Sequence, residues 1–471
     1  MRICIIAEGS YPYVTGGVSS WIQSLVRLMP EHEFVIFAIG AEESLKGKFK
    51  YKLPENIIQV KEIFLDTYLK DSGEVIIQMN LKENEKNIIK NLILGENLNW
   101  NDLFSFIEEH KNYSVSEFLM SKDFYDIIRE ICEEKYPYIG FNDFFWTIRS
   151  MILTLFQILR NEIPKADIYH SVSTGYAGVI ASLGKYKYHV PMILTEHGIY
   201  TREREEELIK ADWVQSDLKD FWIKFFYTLS RCAYKFSDKV ITLFERNKNI
   251  QVKLGCKENK ISIIPNGVNC KDFNNINRKK EKDEIINIGA LLRVVPIKDV
   301  KTIIQGFAVA YEKVKNIHLF IMGPEDEDPI YTEECKAFAK SLKLKNITFT
   351  GQINVKEYVG KMDILVLGSI SEGQPLAVLE GMACGKPHVL TDVGSCKELM
   401  YGTMDDTAQA GIIVPVMDYE AFGAAIIKLS NNKKLMDKLG GNAYARVSTR
   451  YTIENFINSY KKIYNEVVRE I

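Results

Sequence analysis

The sequence has no excess of either charge, so it lacks the usual signature of a nucleic-acid-binding protein. Its 60 Lys and Arg side chains nearly balance 62 Asp and Glu side chains, which leaves a formal net charge of −2. The basic residues are dispersed apart from short runs such as RKKEKDE at residues 278–284, and that run is typical of a solvated linker. We therefore expect no nucleic-acid partner.

Long apolar runs and paired cysteines are also missing. No stretch approaches the roughly 20 apolar residues of a membrane-spanning helix, and the apolar run in the N-terminal MRICIIAEG is too short for a signal peptide. The 8 cysteines form no C-x-x-C pair, which argues against a disulfide framework and against a zinc cluster. These absences predict a cytoplasmic protein whose association with a membrane, if any, is through a partner or a surface.

The sequence does contain a repeated alternation of strand-like and helix-like segments. RICIIAE is followed by an apolar helical stripe from Val18 to Met29 and then by EFVIFAI, which is a βαβ pattern. Short apolar runs continue as DIYHSVS, PMILTEHG, KVITLFE and KISIIPNGV. Because such runs are typical of parallel strands buried on both faces, residues 1–280 are predicted to form a doubly wound α/β domain.

A second alternation begins after the charged linker. IINIGALL, IHLFIMG, NITFTG, DILVLGS and PHVLTDVG have strand character and are separated by segments of helix length. Residues 284–452 are therefore predicted to form a second Rossmann-like domain that faces the first. Residues 453–471 read as an amphipathic helix that caps the second domain or crosses back to the first.

One segment of the first domain departs from the alternation. Residues 62–160 are rich in helical patterns and show no clear strand period, which indicates a helical insertion. Two interpretations are open. The helices either extend the core of the N-terminal domain or provide a surface for an acceptor or a protein partner.

Candidate phosphate-binding residues follow strands in both domains. Gly16 and Gly17 stand directly before a predicted helix, where glycine allows backbone N–H groups to approach an anion. The pattern is not G-x-G-x-x-G, so a dehydrogenase is disfavoured. In the second domain Arg293 and Lys298 follow a strand and would together neutralise a diphosphate. The alternative interpretation of Gly16 and Gly17 is a simple turn, and that of Arg293 and Lys298 is a solvated loop.

Two glutamates stand eight positions apart in SEGQPLAVLE, at residues 371–380. Pro375 favours the start of a helix, so Glu372 is predicted on the preceding loop and Glu380 inside the helix. In the alternative interpretation both are surface residues of one amphipathic helix, because an eight-residue interval brings them to about the same face.

Together these motifs resemble those of the retaining glycosyltransferases of family four. The resemblance rests on Gly16-Gly17, IIPNGV at 263–268, Arg293 with Lys298, SEGQPLAVLE, GKP at 385–387 and TDVGSCKEL at 391–399. Within that family, AEGSYPYVTGGVSSW, TEHGIYTRER, GPEDEDP and TDVGSCKEL are most similar to the glycosyltransferases of Pel exopolysaccharide synthesis. The resemblance implies the GT-B fold, which consists of two facing Rossmann-like domains.

The resemblance also implies roles for individual residues. It places Glu372 near the donor sugar and Glu380 on the nucleotide ribose, and a carboxylate on a rigid helix suits a cis-diol. Arg293 and Lys298 take the leaving-group role. The remaining residues that the resemblance assigns to the donor site are Gly16, Gly17, Gly373, Pro375 and Leu376.

Histidine and arginine residues near the end of a strand supply further candidates. The resemblance favours an active-site role for His197 in LTEHGIY, although a lone histidine is otherwise more often structural. Arg202 and Arg204 either meet donor phosphate or acceptor, or lie at an exposed helix start. A structural role is preferred for His170.

An acidic D-x-D, Asp326 and Asp328, lies in GPEDEDP and has the spacing of a metal site in another glycosyltransferase fold. Since that fold does not match two Rossmann-like halves, the run is predicted to be an acidic turn that starts a helix at Pro329. We expect no metal and no resident cofactor, with metal binding by Asp326 and Asp328 as the alternative.

The resulting hypothesis is a retaining glycosyltransferase that moves a sugar from a UDP-sugar onto a growing polysaccharide. The Pel resemblance implies UDP-glucose as donor and membrane-bound synthase subunits as partners. A UDP-sugar epimerase of the same fold is one alternative. A non-catalytic nucleotide-sugar-binding subunit of a synthase complex is the other.

Overall fold

The computed structural model describes residues 1–68, 79–273, 285–403 and 406–469, and these divide into two compact units. The first unit comprises residues 1–242, 247–263 and 460–471, and the second comprises residues 243–246 and 264–459. The predicted linker at 278–284 lies outside the described residues, and the second unit includes residues 264–273, which the sequence analysis placed in the N-terminal domain.

The first unit contains a seven-stranded parallel sheet in the order β3-β2-β1-β4-β5-β6-β7. Its five inner strands are mostly buried, as expected of a parallel sheet covered on both faces, whereas the edge strands β3 and β7 are largely half-buried or exposed. The strands are β1 Arg2–Glu8, β2 Glu33–Gly40, β3 Ile57–Phe64, β4 Ile168–Ser171, β5 Met192–Glu196, β6 Lys239–Thr242 and β7 Ile261–Ile263.

Helices connect these strands and cover the sheet. They are α1 Gly17–Arg27, α2 Leu65–Tyr68, α3 Glu83–Leu94, α4 Trp100–Glu109, α5 Val115–Leu119, α6 Lys122–Lys135, α7 Phe141–Leu159, α8 Tyr176–Tyr188, α9 Tyr200–Lys210, α10 Ser216–Phe236 and α11 Glu245–Lys253. The buried side chains of α3 to α7, among them Phe104, Phe118 and Phe156, belong to the same hydrophobic core as strand residues such as Ile6 and Phe37. The helices between β3 and β4 therefore extend the core of this unit.

The second unit has a six-stranded parallel sheet in the order β10-β9-β8-β11-β12-β13. The strands are β8 Ile286–Leu291, β9 Ile317–Met322, β10 Ile347–Phe349, β11 Ile364–Leu367, β12 His388–Thr391 and β13 Gly411–Val414. The helices are α12 Val300–Lys313, α13 Pro329–Ser341, α14 Val355–Tyr358, α15 Leu376–Ala383, α16 Cys396–Tyr401, α17 Tyr419–Ser430 and α18 Lys433–Arg450. The strand order reverses between β8 and β11, which is where doubly wound sheets bind their ligands.

The last helix, α19 Ile453–Arg469, is strongly amphipathic, and its residues from Tyr460 onward belong to the first unit. Tyr460 and Tyr464 are fully buried there, and Lys461 Nζ forms an ion pair with Glu31 Oε1 at 2.6 Å. Across the described residues, no helix combines the length and the apolar character needed to cross a bilayer.

Candidate functional site

Lys298 and Glu372 form an ion pair at the carboxyl edge of the second sheet. Lys298 follows β8 and Glu372 follows β11, and these strands are neighbours, so their connecting loops meet. Lys298 Nζ donates to Glu372 Oε1 at 2.5 Å, and the side chains are only 16% and 10% exposed. Ser369 Oγ–H donates to the same oxygen at 2.7 Å. This contact fixes the Glu372 carboxylate and leaves its second oxygen for other donors.

Two neighbouring loops hold the Glu372 loop in place. The Ser395 N–H donates to the Gly373 carbonyl at 3.0 Å. Gly394 has a left-handed φ of 50°, and a Cβ there would lie 2.1 Å from that same carbonyl oxygen, so only glycine allows this approach. On another side, the Asn266 N–H donates to Gln374 Oε1 at 2.5 Å. The Glu372 loop is therefore a rigid part of the second unit.

Unused hydrogen-bonding atoms surround this loop. Asn266 Oδ1, Asp299 Oδ2 and Ser395 Oγ are buried, and none of them has a hydrogen-bond partner within the described ranges. Buried polar atoms are normally paired with protein or ordered water, so these three atoms remain available to water or to a polar ligand.

Glu380 lies inside α15, and Glu372 lies on the loop before it, as the sequence predicts. The helix begins at Leu376, with Pro375 at the N-cap position. Burial raises the pKa of Glu380 to about 7, and the nearby Lys356 only partly offsets that effect. Its carboxylate has no hydrogen-bond donor in the described part of the chain, which leaves both oxygens available to the hydroxyl groups of a ligand.

Arg293 does not join the contact between Lys298 and Glu372. Its side chain is 47% exposed, and its guanidinium forms an ion pair with Glu327. Asp328 Oδ1 accepts a hydrogen bond from the Tyr331 N–H at 3.0 Å and so caps α13, which begins at Pro329 as the sequence predicts. No group of three or more His, Cys, Asp or Glu side chains suited to a metal is found among the residues that the structure describes, Asp326 included.

In the first unit, Gly16 and Gly17 begin α1, with Gly16 at the N-cap position. Gly16 is fully extended, at a φ of 174°, so backbone strain does not require glycine there. A Cβ on either glycine would meet nothing within 4 Å. The first N–H groups of a helix lack intrahelical partners, and the open space beside the two glycines lets an anion or a hydroxyl group approach the start of α1.

His197 directly follows β5 and contacts α1. Its ring lies 4.8 Å from the Trp21 ring, centroid to centroid and nearly at right angles. Burial lowers the pKa of His197 to about 4, so the imidazole is neutral near pH 7. Its Nε2 is buried and has no hydrogen-bond partner within the described residues, which leaves this atom free for a ligand.

His170 is a satisfied structural residue, in agreement with the preferred interpretation of the sequence. It is fully buried and shares hydrogen bonds with Tyr464 OH through Nδ1, at 2.7 Å, and with Thr195 Oγ1 through Nε2, at 2.8 Å. Burial lowers its pKa to about 3. No ring nitrogen remains for a ligand.

The sequence analysis missed two acidic residues in the first unit. Glu8 ends β1 and accepts hydrogen bonds from the Ala177 N–H at 3.1 Å and Tyr200 OH at 3.0 Å. Glu196 ends β5, is only 2% exposed, and has a pKa raised by burial to about 6. The only sequence signal for either is an acidic residue at the end of an apolar strand.

Glu196 joins several elements next to His197. Its carboxylate accepts hydrogen bonds from Tyr234 OH at 2.7 Å, Gln251 Nε2 at 2.8 Å and the Tyr200 N–H at 3.2 Å. Of the two arginines in this region, Arg202 is exposed, whereas Arg204 lies over the Tyr200 ring at 5.1 Å and pairs with Glu207.

Two family models match the chain. Residues 1–259, more than half of the 471, match the family described as "Domain of unknown function (DUF3492)". Residues 269–446 match "Glycosyl transferases group 1". The second match contains Lys298, Glu372 and Glu380, and the first contains His197.

Curated relatives are similar over much of the chain. A Campylobacter jejuni N,N'-diacetylbacillosaminyl-diphospho-undecaprenol alpha-1,3-N-acetylgalactosaminyltransferase is 29% identical, over 55% of this chain and 67% of its own. An Escherichia coli UDP-Gal:alpha-D-GlcNAc-diphosphoundecaprenol alpha-1,3-galactosyltransferase is 23% identical, over 67% of this chain and 79% of its own.

Solved structures are similar over nearly the whole chain. HepE from Anabaena, in complex with UDP and glucose, has a TM-score of 0.61 at 13% identity and covers 99% of this chain and 100% of its own. Sucrose-phosphate synthase from Thermosynechococcus elongatus has a TM-score of 0.63 at 14% identity and covers 100% of both chains. At these identities the likeness shows the fold.

Proposed function

We propose that the chain, which belongs to the DUF3492 family and matches the group 1 glycosyltransferases over residues 269–446, is a retaining hexosyltransferase that uses a UDP-sugar. Its fold is GT-B, as the sequence predicts. We further propose UDP-glucose as the donor and a growing exopolysaccharide of Pel type as the acceptor, as implied by the resemblance to PelF, the glycosyltransferase of Pel exopolysaccharide synthesis. We assign acceptor binding to the first unit. We propose subunits of a membrane synthase as further partners.

The observation that carries this proposal is the pair of acidic residues on α15 and the loop before it. Glu372 is held by Lys298 and Ser369, whereas the Glu380 carboxylate has a raised pKa and no donor among the described residues. A carboxylate of this kind is well suited to accept two hydrogen bonds from the 2′- and 3′-hydroxyl groups of a ribose. We assign the ribose to Glu380 and the donor sugar to Glu372.

Transfer with retention needs a leaving diphosphate that is stabilised as charge develops on it. Lys298 supplies a fixed positive charge beside Glu372, and the free N–H of Leu376 lies at the start of α15. Gly373 lies in the loop and Pro375 sets the turn into the helix. In this proposal Arg293 leaves its ion pair with Glu327 and binds the diphosphate instead. Breaking that ion pair costs little free energy, because both side chains are about half exposed.

In this mechanism the carboxylate of Glu372 faces the sugar as positive charge builds up at the reacting carbon. Its negative charge stabilises that state without forming a covalent bond, and the departing diphosphate assists front-face attack by the acceptor. The neutral His197, with its unpaired Nε2, and the N–H groups at Gly16 and Gly17 are assigned to substrate contacts.

The proposed donor predicts a nucleotide preference. UDP is expected to raise the melting temperature more than ADP or GDP at equal concentration, because Glu380 contributes only ribose contacts and the base must supply the preference. A ligand at a hundred times its Kd adds about 2.7 kcal/mol of stability, which thermal-shift measurements detect readily. An equal or larger shift with ADP would overturn the donor assignment.

Replacing Glu380 by Gln is expected to stabilise the free protein and to weaken donor binding. The folded-state pKa of about 7 lies above the ordinary 4.5, so the unfolded chain ionises first and burial of Glu380 costs stability increasingly between pH 4.5 and 7. The variant should therefore gain on the order of 1–3 kcal/mol at pH 8 and little near pH 4.5. Its affinity for UDP-glucose should fall by roughly 1–3 kcal/mol.

Thermal melts at the two pH values, together with calorimetry at pH 8, test both halves of this prediction. UDP-glucose is the better titrant, since it lacks the terminal phosphate group whose second pKa of about 6 would confuse the pH dependence. Glu333→Gln, at an exposed position on α13, is the matched control and should change neither property. A Glu380→Gln protein with undiminished donor affinity would remove Glu380 from the site.

Activity is expected to survive a chelator, because Lys298 and Arg293 can neutralise the diphosphate without an ion. Transfer would be measured before and after dialysis against EDTA. A loss on chelation that Mn²⁺ or Mg²⁺ restores would instead make Asp326 and Asp328 candidate ligands.

A further inference from the structure

A groove of about 370 Å³ lies at the edge of the second sheet, between the end of α13 and β10. β10 is an edge strand, so its outer side has no strand partner within the sheet. Because β10 runs parallel to β9, the segment before it lies at the amino edge, whereas Lys298 and Glu372 lie at the carboxyl edge. The floor of the groove is apolar and consists of Ala339, Leu344, Ile347 and Phe349.

Four lysines line this groove: Lys336, Lys340, Lys343 and Lys345. Lys336 forms ion pairs with Glu325 Oε2 at 2.8 Å and with Glu333 Oε1 at 3.1 Å. The other three are exposed, and within the described ranges none of them forms an ion pair. The groove thus carries a net positive charge around an apolar floor.

The charge of this region differs from that of the chain as a whole. Residues 335–356 contain five lysines and no Asp or Glu, in a chain whose net charge is −2. Leu342, between the exposed lysines, has 38% of its surface exposed. Lysines interspersed with exposed apolar side chains are typical of a surface that contacts lipid headgroups.

We infer that this groove docks the protein onto a bilayer that contains anionic phospholipid. Each lysine gains from the negative surface potential without needing a fixed geometry, and the apolar floor with Leu342 contacts the interfacial region. A small free anion is a poorer fit, since it needs donors that converge on a point, whereas these lysines surround apolar side chains. The inference is independent of the proposed catalytic activity.

Vesicle cosedimentation of the full chain tests the inference. Vesicles of phosphatidylcholine alone are compared with vesicles that also contain phosphatidylglycerol, at low and at high salt. The protein is expected to bind only the anionic vesicles, and less at high salt. Replacing Lys340, Lys343 and Lys345 by Gln should lower the partition coefficient roughly a hundredfold, since each lysine near a membrane contributes about 1 kcal/mol.

A matched variant distinguishes the effect of the groove lysines on vesicle binding from the effect of net charge. Lys428, Lys434 and Lys438 are exposed on α17 and α18 of the same unit, and their replacement by Gln removes the same charge. This control should bind nearly as well as the unmodified protein, and circular dichroism should show that both variants are folded. Equal loss in both variants, or no preference for anionic vesicles, would overturn the inference. Self-association that depends on the groove lysines, without vesicle binding, would assign the groove to a second copy and would also overturn it.

Discussion

Replacing Glu372 by Gln is expected to lower sugar transfer roughly a hundredfold or more while UDP still binds about as tightly as to the unmodified protein. Glutamine preserves the shape of the side chain and can still accept from Lys298 and Ser369, so the loop should keep its position. What it loses is the negative charge that stabilises the developing positive charge on the sugar. UDP lacks the transferred sugar, so its affinity should change little when that charge is removed.

Single-turnover transfer beside calorimetry with UDP measures the two effects separately. The second unit offers a matched control in the exposed ion pair between Lys301 and Glu334, at 2.7 Å. Glu334→Gln removes the same charge from the same unit and should leave transfer unchanged, since exposed pairs contribute little. Full transfer activity in Glu372→Gln would show that Glu372 has only a structural role.

Replacing Lys298 by Ala is expected to weaken UDP binding and to lower turnover by roughly a hundredfold to a thousandfold. The positive charge of Lys298 stabilises the diphosphate of the bound donor. This stabilisation becomes stronger as the diphosphate leaves and gains negative charge. The same change leaves the Glu372 carboxylate, which is 10% exposed, with Ser369 as its remaining partner. The variant should therefore also be less stable than the unmodified protein.

Lys301→Ala, three residues along at an exposed position, controls for loss of a lysine in this region. Stability and UDP affinity should be measured at a temperature at which Lys298→Ala is folded, so that the loss of rate reflects chemistry. A folded Lys298→Ala protein that binds UDP and turns over normally would assign Lys298 to structural support of the Glu372 loop.

The positions of Glu372 and Glu380 could be predicted from sequence because the signals are local. Apolar runs of strand length mark the buried parallel strands, and Pro375 separates a loop glutamate from a helical one. The structure differs by a single position, since α15 begins at Leu376 and Pro375 precedes it.

The partners of these residues could not be predicted in the same way. Lys298 and Glu372 are 74 positions apart, and they meet because β11 pairs with β8, a strand order that local periodicity does not encode. Arg293 follows the same strand as Lys298, but its guanidinium pairs with Glu327. Closeness in the sequence therefore does not bring the Arg293 and Lys298 side chains to one contact. Glu8 and Glu196 were missed because they are recognised by their burial and by hydrogen-bond donors on helices distant in the sequence, and neither can be read from local sequence.

The central claim is that the chain transfers a sugar from a UDP-sugar to an acceptor. The measurement that tests it most directly follows UDP release and sugar incorporation together, with UDP-glucose first among several UDP-sugars and polysaccharide as acceptor. The two should rise in step in the unmodified protein and fall together in Glu372→Gln. Conversion of the donor to another UDP-sugar without UDP release, or UDP binding with no turnover on any acceptor, would contradict it.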